Sequence, residues 1–109
     1  MAESLTIRVK RLEAQVSSAL RPVDRQALDR RERELLAKLV QSLTDSRIYS
    51  QSYELSETRD EQLKNAREAK KWLGRARRDI LKASEKDIFG PADVAHLSAQ
   101  IDQIIGELR

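Results

Sequence analysis

The first apolar residues of the chain, Leu5, Val9, Leu12, Val16 and Ala19, are separated by gaps of four, three, four and three. That spacing lines them up along one side of an α-helix. Ser4 is suited to cap its first turn, and Arg21-Pro22 ends it, because proline disfavours helical geometry in the residue before it and has no amide hydrogen to donate. A first helix is predicted over about residues 4–20.

A second stripe, Leu28, Leu35, Leu39 and Leu43, is broadened by Leu36 and Val40, with Glu32 at the missing turn. It predicts a helix from Val23 or Asp24, where an acidic residue suits the positive end of the helix dipole. From Thr44 to Ser56 the serines compete for backbone hydrogen bonds and weaken helical preference, so a turn is expected in this stretch. The i,i+4 pair Tyr49 and Tyr53 extends the helix to about residue 53.

Thr58 followed by Glu61 reads as a capping box opening a third helix. Its stripe is Ala66, Ala69, Leu73, Ala76, Ile80 and Ala83. Four alanines in six positions let a neighbouring backbone come close, and Gly74 is expected to allow a close crossing. The helix is predicted to end by about residue 87, before Gly90-Pro91, which stops one helix and suits the first turn of another. A fourth helix over about residues 91–108 carries Val94, Leu97, Ile101, Ile104, Ile105 and Leu108.

These patterns predict one all-α domain over residues 1–109: an antiparallel bundle or helical hairpin of about four helices with coiled-coil-like heptad packing. The second and third helices form a long hairpin on which the first and fourth pack; a three-helix core with a loose terminal helix is the alternative. The fourth stripe is the most hydrophobic, and it is either core or an oligomer seam formed by Val94, Leu97, Ile101, Ile104 and Leu108. The seam reading predicts a homodimer.

Composition narrows the class. There is no cysteine, hence no disulfide framework and no thiolate chemistry. The longest apolar run, Leu35-Leu36-Ala37, is far short of the roughly 20 residues that span a bilayer, and charged Arg8, Lys10 and Arg11 interrupt any secretory apolar segment. A cytoplasmic location without a membrane span is expected. The single histidine, His96, lies three residues after Asp93 but has no second nitrogen or sulfur donor to complete a metal site. The carboxylate pair Asp60 and Glu61 belongs to a first helical turn, where it suits the dipole, and no serine sits in a nucleophile-elbow pattern. The sequence therefore predicts no catalytic residue, no metal, no cofactor and no small-molecule substrate.

Charge changes the picture more. The net charge is +3, yet residues 59 to 86 hold ten Lys or Arg against five Asp or Glu, whereas residues 87 to 109 hold one basic and four acidic residues. Lys70, Lys71, Trp72, Arg75, Arg77 and Arg78 form a basic cluster around the only tryptophan, and the field extends from Lys64 to Lys82. Either these cations pair with Glu32, Glu34 or the acidic fourth helix, or they face an anion. Two functions follow: a non-enzymatic protein-protein interaction module, a small self-associating adaptor or regulator, or a nucleic-acid-binding accessory protein using the third helix. Attachment of that helix to anionic membranes is a weaker third reading, because its stripe lacks bulky inserting residues.

Overall fold

The computed structural model describes residues 3–109 and is all-helical, with α1 (Leu5–Leu20), α2 (Arg30–Leu55), α3 (Arg59–Glu85) and α4 (Pro91–Glu107) joined by short connections. α1 packs on α2, α2 on α3, α3 on α4 and α4 on α1, which closes a four-helix bundle. The α2–α3 hairpin runs most of its 47 Å length.

α1 forms as its stripe predicts. Leu5, Val9, Leu12 and Val16 are buried, joined by Leu20 in place of half-buried Ala19. Ser4 accepts a hydrogen bond from the Ile7 amide at 3.1 Å. A second cap comes from across the bundle: the Glu54 carboxylate accepts the Leu5 and Thr6 amides, each at 2.9 Å, and the Thr6 hydroxyl. It occupies the positive end of the α1 dipole and ties α2 to α1.

Glu54 makes this tie sensitive to acid. Partial burial pushes its carboxyl up, but the bonds from Thr6 and Leu5 outweigh this and hold it below the ordinary glutamate value. A carboxyl lowered by folding stabilises the protein above about pH 4.3, the value of a free glutamate, and the contribution fades as pH falls through the folded value. Glu54 is largely exposed, so the effect is that of a screened cap. Glu54→Gln should cost about 1 kcal/mol at neutral pH. In urea titrations the gap between variant and parent should close on acidification; a gap independent of pH would refute the assignment.

The second helix begins later than predicted. The chain leaves α1 through a turn and one 3-10 turn at Arg25–Ala27, capped by Asp24, and α2 starts only at Arg30. The start is fixed by a capping box: Asp29 accepts the Glu32 amide at 2.8 Å, and Glu32 accepts the Asp29 amide at 3.1 Å. Two orphan amides are satisfied reciprocally there, which Asp24 could not do, and Leu28 packs on the core from outside the helix.

The serine-rich segment stays helical to Leu55, two residues beyond the predicted end, and the expected turn comes at its close, Ser56–Thr58. Its buried line is Leu36, Leu39, Leu43, Ser46 and Ser50, so serine takes over the heptad positions midway. In an antiparallel hairpin closing at Ser56–Thr58, Ser46 and Ser50 come level with Ala69 and Ala66, and two lines of small side chains let the backbones approach. Tertiary packing overrides local preference here. The Ser46 hydroxyl bonds back to the Leu43 carbonyl at 2.7 Å, while the buried Ser50 hydroxyl finds no partner among the described residues.

α3 buries all six residues of its predicted stripe. It ends at Glu85, and two residues later the chain reverses at Asp87, whose φ of 59° is left-handed. The Asp87 amide bonds the Ser84 carbonyl and the Ile88 amide the Ala83 carbonyl, each at 3.0 Å. This closing motif sends Ile88 and Phe89 into the core and aims Gly90-Pro91 into α4.

Two sequence expectations change. Gly74 does not serve a close crossing, since a Cβ placed there meets nothing within 4 Å. Gly74→Ala should therefore stabilise the helix by about 1 kcal/mol, read as a melting temperature raised by about 4–8 °C; a drop would show a contact the backbone does not reveal. Of the residues read as an oligomer seam, Leu97, Ile101, Ile104 and Leu108 are buried within one chain and Val94 is half-buried against the core. They are the core alternative of that reading.

Candidate functional site

The core stripe of α3 leaves the opposite side of the helix facing solvent. Lys64, Arg67, Lys71, Arg75, Arg78 and Lys82 succeed one another there at gaps of three, four, four, three and four, and all six are exposed. At 100° per residue they fall in a band about 80° wide, centred opposite Ala66, Leu73 and Ile80, and about 27 Å long. The acidic residues of this span, Glu68 and Asp79, lie off the band on the side toward α2. Among the described residues only Lys71 of the six makes an ion pair, to Glu68 at 3.8 Å.

The other predicted contacts divide. Arg77 turns to α4, where its Nη2 donates to the Asp102 carboxylate at 3.3 Å and its Nε lies 3.0 Å from the same carboxylate without a hydrogen bond. It pairs with the acidic fourth helix. Lys70 is exposed but lies off the band, on the Arg77 side of the helix. Glu32 and Glu34 do not reach α3: the first closes the α2 cap, and the second pairs with Arg30 at 3.1 Å.

Trp72 stands between the band and α2. Its ring is half-buried, with the Arg75 guanidinium 4.7 Å and the Lys71 ammonium 5.2 Å from the ring centre. Such cation–π contacts hold both cations over the indole. Its Nε1 is buried without a hydrogen-bond partner.

Beside the indole the α2–α3 groove widens into a cleft of about 430 Å³. From α2 come Lys38, Gln41 and Ser42; from α3 come Trp72, Arg75, Arg78, Asp79 and Lys82. Lys38 escapes a reading of sequence because only the hairpin register brings it level with Ala76. Asp79 is half-buried, and burial raises its carboxyl above the ordinary aspartate value even though Lys82, Arg78, Lys38 and Arg75 pull it down. None of these cations forms an ion pair with it within the described structure. Four cations against one carboxylate leave the cleft positive.

A second cleft, of about 500 Å³, lies between α1 and α4 and includes Arg11, Gln15, Asp93 and His96. One cation faces one carboxylate there, and His96 Nε2 is 2.8 Å from Gln100 Nε2. Among the described residues no group of three or more His, Asp or Glu side chains is placed to hold a metal ion, and no helix is long and apolar enough to cross a membrane. No protein-family model matches the chain, and no curated protein or solved structure is significantly similar to it.

Proposed function

We propose that the protein is a non-enzymatic nucleic-acid-binding module that lays a phosphate backbone along the outer face of α3. The observation that carries this reading is the unbroken band of six exposed cations. A band of about 27 Å runs beside about eight phosphates of one strand at the axial spacing of a duplex, and its steps of about 4.5–6 Å along the helix suit a regularly charged polymer better than a single ion. Cations on a helix face grip phosphate without reading sequence, so a sequence-tolerant accessory role follows.

The adaptor reading rested on apolar stripes in excess of one chain's needs. With the α4 stripe inside the bundle, the exposed large apolar residues that remain, Ile7, Val40, Ile48, Leu55, Leu63 and Leu81, are dispersed over α1, α2 and α3. Basic charge is the more concentrated feature of the surface.

The test is a titration of labelled duplex and single-stranded oligonucleotides between about 50 and 200 mM salt. Six phosphate contacts give a log–log slope approaching about −5. Changing Arg75, Arg78 and Lys82 together to alanine should reduce the slope by about three and weaken binding to all sequences alike. A flat salt dependence, or a triple variant that binds like its parent, would remove the proposal.

A further inference from the structure

The cation band needs only the phosphates of its ligand, yet the cleft beside it offers chemistry for more. Resting on the reading above, we infer that the protein prefers single-stranded nucleic acid and takes one unpaired base into the α2–α3 cleft against Trp72.

Three features meet there. The cleft, about 430 Å³, lies within the range of about 300–1,000 Å³ typical of small-ligand sites, and a duplex could not present a base to it without opening. Its wall includes the Trp72 indole, with the Arg75 guanidinium 4.7 Å from the ring centre. Indole and guanidinium planes are the surfaces on which unpaired bases stack. Its polar groups are of both kinds: Asp79 accepts and Gln41 both donates and accepts, as the edge of a base requires. A pure phosphate site would gain nothing from a half-buried carboxylate at its centre.

The layout also gives a path for the strand. Arg75, Arg78 and Lys82 belong both to the cleft wall and to the band, so a backbone lying on the band carries its bases past the cleft mouth. Lys38 closes the far side, from α2. The base is recognised mainly by its π-face, so any of the four bases should enter.

Trp72 is the chain's only tryptophan and reports the event directly. Three probes separate the parts: an oligouridylate of roughly 12 nucleotides, a duplex of similar length, and polyphosphate, which is charged but has no bases. All three should bind the band with steep salt dependence, and only the oligouridylate should quench Trp72 emission. Trp72→Leu should weaken oligouridylate binding about 5- to 150-fold and leave duplex and polyphosphate within twofold, after circular dichroism has shown the variant folded. If Trp72→Leu does not fold, the quenching of the parent decides alone. Binding of all three probes without selective quenching, or quenching by polyphosphate equal to that by oligouridylate, overturns the base cleft and leaves the band intact. Failure of every probe to bind overturns the band, and the cleft with it.

Discussion

Ile101→Asp is expected to abolish the folded state. Ile101 is fully buried in α4, and a carboxylate there would lose its hydration with no partner built to receive it. The penalty for such an ion is several kcal/mol, added to about 1.5–3 kcal/mol of lost apolar burial. A chain of 109 residues has a total stability of about 5–15 kcal/mol, so little or nothing remains. The far-ultraviolet circular dichroism of the variant should show a largely unfolded chain, and the parent should scatter light as a monomer at micromolar concentration. The same substitution in a seam between copies would give a different result, a helical monomer derived from a dimer. A well-folded Ile101→Asp protein would thus return α4 to the surface.

The second large effect is expected at the narrowest part of the hairpin. Ala69 is fully buried, level with fully buried Ser46 on the facing helix, and neither side chain leaves room for another. Ala69→Leu must push α2 and α3 apart. Overpacking costs about 1–3 kcal/mol by itself, and separating the hairpin loosens the neighbouring turns, so about 3 kcal/mol is expected. Melting should fall by roughly 10–20 °C. Leucine at neighbouring Lys70, which is exposed, should cost little and controls for the residue type. An Ala69→Leu protein as stable as its parent would mean that the small residues face solvent or a void.

Those small residues also explain which parts of the fold could be read from sequence. α1, α3 and α4 were legible because leucine, valine, isoleucine and alanine recur on one face with punctuation at both ends, Ser4 and Thr58 as caps and Gly90-Pro91 as a stop. The second half of α2 was legible only through the Tyr49–Tyr53 spacing, because its seam is serine. A residue that favours turns in isolation is the right size opposite alanine, and only knowledge of the partner helix reveals the reversal. The start of α2 was legible in principle, since Asp29 and Glu32 have the spacing of a capping box; the proline at residue 22 drew the boundary toward itself.

The basic cluster was partly legible in the same sense. Residue types fixed the charge, and helical spacing put Arg75 and Arg78 on one side of α3. That Arg77 is committed to Asp102, and that Lys38 and Asp79 complete a cleft with Trp72, depends on contacts between helices that no local pattern encodes.

Within the cation band Arg75, Arg78 and Lys82 also reach the α2–α3 cleft, but α3 carries the band and its core stripe on opposite sides. Substitutions on the two sides should therefore combine additively in their effects on folding. The outer charges that touch neither Trp72 nor the cleft, Lys64 and Arg67, can be strengthened, weakened or removed while the melting temperature holds steady, which leaves the grip on an anion adjustable in small steps.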